Sequence, residues 1–383
     1  MLETLDDSKL KDQIYEIFDY LHQHPEVSWK EYKTTQYLAN LLEAFGCKVT
    51  TFEDCTGVVA EIGEGNFTVG LRTDMDALWQ DVDGIWQANH SCGHDAHMTM
   101  GLGVMMTLKK MNVKLPGKVK FIFQPAEEKG NGALKMLEKK VIDEVDYLFG
   151  VHLRPELEVP NGKAAPAIVH GAGQFITGDI IGEDTHGGRP HLGVNAIEVG
   201  SALVEQMKGI YLDPMVPYSI KMTKFIAGGD NGNIIPGSAQ FGLDLRAQSN
   251  TVMDQLVGRV EKIIGNLSDL YQVRITYQTE GKIVAAQVNK DAQTIMAEAI
   301  KGVIGEENLV PPSVTSGGED FHFYSVKRPE VKATMLGLGC GLKPGLHHPH
   351  MTFDHDALLT GIEILTRTIL KTFEDNGLTI KDN

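Results

Sequence analysis

The sequence predicts an α/β protein with a mainly parallel sheet, interrupted by a small ferredoxin-like α+β domain. Short apolar runs alternate with amphipathic segments over residues 58–153, which is typical of a parallel sheet covered by helices. Further along, the order of predicted elements is β-α-β-β-α-β, the split βαβ arrangement, and the alternating style then resumes. We therefore expect residues 1–172 and 285–383 to form one domain and residues 173–284 to form another.

Apolar spacing predicts the first elements in chain order. Leu10, Ile14, Ile17, Phe18 and Leu21 recur at the spacing of an amphipathic helix. A second helix is predicted over residues 32–45. The next predicted strands are Val58–Ile62, Thr68–Leu71, Val119–Phe123 and Tyr147–Leu153, and the next predicted helices are His97–Met111 and Gly132–Val141.

The same reasoning extends over the rest of the chain. In the middle part the predicted strands are Gly173–Gly182, Tyr218–Ile226, Ala239–Arg246 and Tyr271–Tyr277, and the predicted helices are Val194–Met207 and Val252–Leu267. The last part is predicted to contain a helix at Asp291–Ile304, a strand at Ala333–Leu338 and a helix at Asp356–Phe373.

Composition and charge narrow the class of protein. The 383 residues suffice for two domains, because single cores rarely grow past about 250–300 residues. The 35 Lys+Arg and 51 Asp+Glu residues give a formal net charge of −16, which argues against nucleic acid or an anionic membrane as a partner. The N-terminus lacks the features of a signal peptide, and four cysteines are too few for a disulfide framework. We therefore expect a reduced, cytoplasmic protein.

The densest cluster of potential metal ligands is the segment NHSCGHDAH. Thiolate and imidazole are ligands that borderline-soft divalent ions prefer. Cys92 and His94 are two residues apart, and Gly93 allows the chain to turn, so both side chains could face one point. His97 could be a ligand, a partner of a ligand, or neither. The alternative, a polar loop with one buried thiol, is disfavoured by the clusters that follow.

Acidic residues follow two of the predicted strands. Asp74 and Asp76 come just after Thr68–Leu71, at the strand end where open α/β sheets bind ligands. One of them could orient a ligating histidine, although a solvated acidic turn is an alternative. Glu127 and Glu128 follow VKFIF, and neighbouring side chains of an extended chain diverge. One glutamate could therefore bind metal while the other accepts a proton from the water that the metal activates.

Histidines at later strand ends complete the set of candidate ligands. His152 ends one predicted strand, and the segment LHHPH at residues 346–350 follows another. Together with Cys92, His94 and one glutamate, His152 and one of the late histidines give five candidate ligands, which is enough for one metal ion or a pair.

These motifs resemble those of the M20 metallopeptidase family, in the amidohydrolase branch that contains aminoacylases, hippurate hydrolases and auxin-conjugate hydrolases. The similar segments span nearly the whole chain in the family's order: LHQHPEVSWKE, RTDMDAL, CGHDAHM, FQPAEEKGNGA, FGVHLRP, HGGRPHLGVNAI, IPGSAQFGLDLR, GGEDFHFY and HHPHMTFDHDAL. The resemblance implies a metal-dependent amidohydrolase that cleaves the amide bond of N-acyl amino acids. It also implies two divalent ions (Zn, Mn, Co or Ni) and a homodimer, with residues 173–284 as the lid and dimerisation domain beside the catalytic domain.

The resemblance also implies roles for individual residues. The metal ligands would be Cys92, His94, Glu128, His152 and His347. His347 is preferred to His348 because the family pattern has a histidine two residues before the proline. Glu127 would be the general base, and Asp74 would be the acid that orients or tunes the site.

Further implied residues lie in the predicted lid domain. His186 and Asn233 would polarise the substrate carbonyl, reaching in from the partner subunit. His191 would support the same segment. Arg246, which ends a predicted strand, is a candidate to bind a substrate carboxylate, or it could form a structural ion pair.

Departures from the family pattern concern the substrate more than the chemistry. The chain between Asp76 and Cys92 is short, and we interpret it as a loop in which Trp79 and Trp86 alter the shape of the pocket.

One alternative function is an N-acetyl-diaminopimelate deacetylase or a dipeptidase with the same chemistry. Another, from a different class, is a catalytically silent metal-binding scaffold, which would require loss of the base or the ligands.

Overall fold

A computed structural model describes residues 3–382, which divide into two compact units. The large unit contains the chain up to Val169, residues 287–314 and the chain from Asp320 onward. The small unit contains residues 170–286 and 315–319. The catalytic and dimerisation roles of the two expected domains stay predictions.

The strands and helices have the following bounds. The strands are β1 (Lys48–Thr51), β2 (Val58–Ile62), β3 (Thr68–Asp74), β4 (Leu78–Val82), β5 (Ile85–Asn89), β6 (Val113–Lys114), β7 (Lys118–Gln124), β8 (Tyr147–Pro155), β9 (Ala164–Ala165), β10 (Ile168–His170), β11 (Ala172–Ile181), β12 (Thr185–His186), β13 (Tyr218–Ala227), β14 (Ile234–Ile235), β15 (Ala239–Ala247), β16 (Arg274–Ile283), β17 (Ser313–Thr315), β18 (Lys332–Leu342) and β19 (Lys381–Asp382). The α-helices are α1 (Ser8–Gln23), α2 (Tyr32–Ala44), α3 (His94–Met111), α4 (Gly132–Glu138), α5 (Ala196–Lys208), α6 (Asn250–Tyr271), α7 (Lys290–Ile304), α8 (His322–Lys327) and α9 (Ala357–Asp375).

The large unit is built on a mixed seven-stranded sheet, which confirms the α/β fold class. The strand order is β1-β2-β7-β3-β8-β18-β9. The four central strands, from β7 to β18, run parallel, whereas the outer pairs are antiparallel. All seven residues of β3 are buried, as expected for a parallel strand that is covered on both faces.

Helix α3 is the buried helix of the large unit. Fifteen of its residues are buried, and it packs against α1 and α9. Two glycines allow a close approach to α9, because a Cβ at Gly103 would lie 2.3 Å from Ile362 and one at Gly361 would lie 2.3 Å from Met100. The start of α3, which carries His94, is therefore fixed by core packing.

The small unit is an antiparallel four-stranded sheet with two helices. Its strand order is β13-β15-β11-β16, and α5 and α6 supply apolar residues to its core. In chain order the elements run β11-α5-β13-β15-α6-β16, so the predicted ferredoxin-like unit is confirmed. No helix in the described part of the chain is long and apolar enough to cross a membrane.

Three local expectations were wrong. Residues 78–89 form the hairpin β4–β5 rather than a loop, because Asp83 and Gly84 both adopt positive φ, as a type I′ turn requires. Glu127 and Glu128 lie in a 3₁₀ turn rather than in extended chain. Helix α4 ends at Glu138 instead of Val141, where Lys139 and Lys140 begin a turn.

Candidate metal centre and active site

Parallel strands bring the chemical groups of the large unit to one edge of the sheet. Asp74 is the last residue of β3, His152 lies near the end of β8, and the turn with Glu127 follows β7. Gly93 precedes α3 with φ of 84°, and a Cβ there would lie 2.9 Å from the side chain of Leu153. Glycine therefore allows the sharp turn that brings Cys92 and His94 to this edge.

Cys92, His94 and His152 form a buried group. Their potential ligand atoms lie within 4.8 Å of one another. Nδ1 of His94 donates to the backbone oxygen of Asp76 at 2.8 Å, and Nδ1 of His152 donates to the backbone oxygen of Leu153 at 2.7 Å. In the neutral form of each ring Nε2 is therefore the acceptor atom, and that of His152 lies 3.6 Å from Sγ of Cys92.

Glu128 and His347 form a second group with the same cysteine. The ligand atoms of Cys92, Glu128 and His347 also lie within 4.8 Å of one another. Nε2 of His347 is 3.3 Å from Oε1 of Glu128. His94 Nε2 is 4.0 Å from an oxygen of Glu127 and from one of Glu128, so both glutamates border the first group, and Glu128 links it to the second.

Buried carboxylates hold the backbone of the acidic turn. Asp76 accepts from the amides of Glu127 and Glu128 at 3.0 and 3.1 Å, and Ser28 donates to it at 2.6 Å. The side chain of Glu31 accepts from the amide of Ala126 at 2.9 Å. Three consecutive backbone amides thus donate to two carboxylates. These hydrogen bonds fix the backbone from which the side chains of Glu127 and Glu128 extend.

His97 is a partner of Asp74. The amide of Leu153 can only donate, so Nε2 of His97, 3.0 Å away, accepts, and Nδ1 carries the proton that it donates to Asp74 at 2.7 Å. Both ring nitrogens are thereby used. The second oxygen of Asp74 accepts from the buried Arg72 at 2.6 Å, and Arg72 also donates to Asp320 at 2.8 Å. Of the three roles left open for His97, that of a metal ligand is disfavoured, because both of its ring nitrogens already have partners.

The ionisable groups show how negative this site is. Burial alone would lower the pKa of His94, but the charges of Asp74 and Cys92 raise it well above its usual value. Hydrogen bonds to Cys92 and Glu128 raise the pKa of His347 to about 10. Burial keeps the pKa of His152 well below its usual value, so this imidazole is neutral.

The donor set fits a divalent metal ion. Nε2 of His94 is buried and has no hydrogen-bond partner in the described chain, and buried Oε1 of Glu128 has only the ion-pair contact with His347 at 3.3 Å. Buried polar atoms rarely lack a partner, and here they point toward a thiol and further imidazoles. Sulfur, imidazole and carboxylate ligands in this number suit zinc and neighbouring transition metals.

Four of the expected site residues lie in the small unit. His186 in β12 and Asn233 are both exposed, and the backbone oxygen of Asn233 accepts from the amide of Gly187 at 2.7 Å. His191 is also exposed. Arg246 forms an ion pair with Asp244 at 2.7 Å and lines a cavity of about 150 Å³.

Sequence reasoning missed several residues that shape the site. Asp76 was predicted only as a possible partner of a histidine ligand. Its hydrogen bond to the amide of Glu127, 51 residues further along the chain, could not be predicted. Glu31 and Asp320 lie in the segments LHQHPEVSWKE and GGEDFHFY, where a charge beside aromatic residues was a usable signal. The Asp83-Gly84 dipeptide predicts a hairpin and was a further signal.

The chain is similar to several known proteins over most of its length. Residues 70–371 match the model of peptidase family M20/M25/M40. A protein of Synechocystis sp. named as a probable hydrolase is 31% identical, over 93% of this chain and 95% of its own. IAA-amino acid hydrolase ILR1-like 2 of Arabidopsis thaliana is 31% identical (85% and 77%), and N-acetyl-L-cysteine deacetylase of Bacillus subtilis is 27% identical (96% and 90%). The structure of a putative aminohydrolase from methicillin-resistant Staphylococcus aureus, 27% identical, covers 96% of this chain and 97% of its own with a TM-score of 0.86.

Proposed function

Because the chain belongs to peptidase family M20/M25/M40 and is a metal-dependent amidohydrolase, we propose that it hydrolyses the amide bond of N-acylated amino acids. The observation that carries the proposal is a glutamate pair, Glu127 and Glu128, beside a thiol and imidazoles that suit a metal. The names of two relatives, an IAA-amino acid hydrolase and an N-acetyl-L-cysteine deacetylase, describe acylated amino acids as their substrates. Both relatives match this chain over most of its length.

We assign the ligand roles to Cys92, His94, Glu128, His152 and His347. Cys92 belongs to both groups of ligand atoms, so it would help to hold a metal ion at either group. A bound divalent ion lowers the pKa of water and withdraws charge from a substrate carbonyl. Zinc, manganese, cobalt and nickel all suit this donor set.

Glu127 acts as the general base and then as the general acid. It accepts a proton from the attacking water and delivers that proton to the leaving amine. Asp76 holds the amide of Glu127, which keeps the carboxylate beside His94. Asp74 keeps the ring of His97 in one tautomer, and its charge also acts on His94, whose Nε2 lies 3.8 Å from Oδ1 of Asp74.

The small unit would complete the site in a homodimer. The exposed side chains of His186 and Asn233 would donate to the carbonyl oxygen as it gains negative charge, acting from the partner subunit. His191 would support their segment, and Arg246, which lines a cavity with Ser219, would bind the substrate carboxylate.

A substrate panel on metal-loaded protein tests the proposal. We expect N-acetyl, N-benzoyl and indole-acetyl amino acids to be hydrolysed, and the same compounds with an amide in place of the carboxylate to react much more slowly. N-acetyl-diaminopimelate and dipeptides belong in the panel as competing substrates. Preferred cleavage of either would overturn the substrate assignment, and absence of turnover with every metal would favour the silent scaffold.

A further inference from the structure

His347 has an unusual backbone that the rest of the chain must hold in position. Its φ is 63°, in the left-handed region that a residue with a Cβ rarely adopts. Its amide donates to the backbone oxygen of Ser91 at 2.7 Å, and its own backbone oxygen accepts from Nε2 of Gln80 at 3.1 Å. Both partners belong to the β4–β5 hairpin or to the residues that join it to Cys92.

The side chain of Asn89, which is also in the hairpin, sets the orientation of the Gln80 amide. Nδ2 of Asn89 donates to Oε1 of Gln80 at 2.8 Å and to the backbone oxygen of Pro349 at 2.9 Å. Because Oε1 of Gln80 is thereby the acceptor, Nε2 of the same amide must point to His347. Gln80 and Asn89 lie on the same face of the hairpin in diagonal positions, two residue pairs apart, since Leu78 pairs with Asn89 and Gln80 pairs with Gln87.

Side-chain packing does little to fix the imidazole of His347. The side chain is 55% exposed, whereas that of Glu128, 3.3 Å away, is 11% exposed. Because packing constrains only part of this ring, the place of the imidazole depends on the position of the His347 backbone from which it extends. The hydrogen bonds to the hairpin therefore decide where Nε2 of His347 can reach.

We propose that Gln80 and Asn89 are positioning residues that hold His347 ready to bind a metal ion. This inference rests on the proposed role of His347 as a ligand. It gives the hairpin a function in the metal centre: one face holds the ligand loop, and the other carries Trp79 and Trp86, which are 60% and 61% exposed.

The test compares Gln80→Met, Asn89→Ala and Gln87→Met. Methionine is neutral and similar in size to glutamine but cannot donate a hydrogen bond. Gln87 is the matched control, because it lies opposite Gln80 and its side chain has no hydrogen-bond partner among the described residues. Zinc and manganese are titrated against a chromophoric chelator, and the melting temperature is measured without metal.

Loss of an outer partner of a metal ligand usually weakens metal binding by about 10–100-fold. We expect that loss for one ion in Gln80→Met and Asn89→Ala, with Gln87→Met within about twofold of wild type. Melting temperatures without metal should be alike in Gln80→Met and Gln87→Met. Unchanged metal affinity in both hairpin variants would overturn the proposal. His347→Ala separates this failure from that of the proposed ligand set, because unchanged affinity in His347→Ala would refute the ligand role itself.

Discussion

Replacing Asp76 by asparagine should loosen the acidic turn while the rest of the sheet stays folded. The carboxylate is buried, and its two oxygens accept separately from the amides of Glu127 and Glu128. Asparagine keeps one acceptor oxygen and turns the other position into a donor. One of the two backbone N–H groups then faces the NH₂ group of asparagine, and neither of these donors has an acceptor.

The size of the effect follows from these contacts. A buried donor without a partner costs about 1–3 kcal/mol, and the remaining hydrogen bond loses its charge assistance. Removing the charge of Asp76 brings little compensation for the lost hydrogen bonds. Burial alone would raise the pKa of Asp76, but hydrogen bonds from His94, Ser28 and the amide of Glu128 lower it. The folded site thus prefers the ionised acid. We expect Asp76→Asn to lose about 2–4 kcal/mol of unfolding free energy.

Urea unfolding of chelator-treated protein measures this loss. Asp81→Asn is the matched control, because Asp81 also accepts from a backbone amide, that of Gly84, but does so in the exposed hairpin turn. We expect that control to stay within about 0.5 kcal/mol of wild type. Equal stability of Asp76→Asn and Asp81→Asn would refute the reasoning that Asp76 organises the turn.

Two other predictions concern a buried acid and the action of the partner subunit. Burial raises the pKa of Glu31 from 4.5 to about 7, so the unfolded chain releases this proton at lower pH and the stability of the wild type falls as pH rises from 4.5 to 7. Glu31→Gln can still accept from Ala126 and donate to Thr56, and in urea unfolding it should gain about 3 kcal/mol relative to wild type over that range. A parallel pH dependence of the two proteins would contradict this expectation. If His186 acts from the partner subunit, mixing inactive Glu127→Gln with inactive His186→Ala should restore about a quarter of wild-type activity. Half of the randomly mixed dimers are hybrids, and each hybrid has one intact site of its two. A mixture that stays inactive after subunit exchange would contradict action from the partner subunit.

Periodicity predicted the scaffold because each element has a clear local signal. The heptad-like spacing from Leu10 to Leu21 and the apolar run VKFIF each place one face or both faces in a core. The strand ends then follow from the parallel order, which is why the neighbourhood of Cys92, His94 and His152 could be expected. Element ends were less certain, as β3 continues to Asp74 and α3 starts at His94.

Long-range polar contacts had no such signal. Nothing near Asp76 in the sequence indicates that its oxygens bind amides 51 and 52 residues away, and nothing near Gln80 indicates His347. The 3₁₀ turn at Glu127 depends on those contacts, so the extended chain expected there was wrong. The residues that bind metal carry recognisable chemistry, whereas the residues that position them depend on the fold.

The activity and metal content of Glu127→Gln test the central claim most directly, namely that a metal-loaded site uses Glu127 to move the proton. Glutamine keeps the shape of the side chain but cannot accept a proton, and Glu138→Gln, on the exposed end of α4, is the control. We expect Glu127→Gln to bind the same amount of metal as wild type and to lose at least about 10²-fold in kcat, while Glu138→Gln retains both. Near-normal turnover in Glu127→Gln with full metal content would contradict the mechanism.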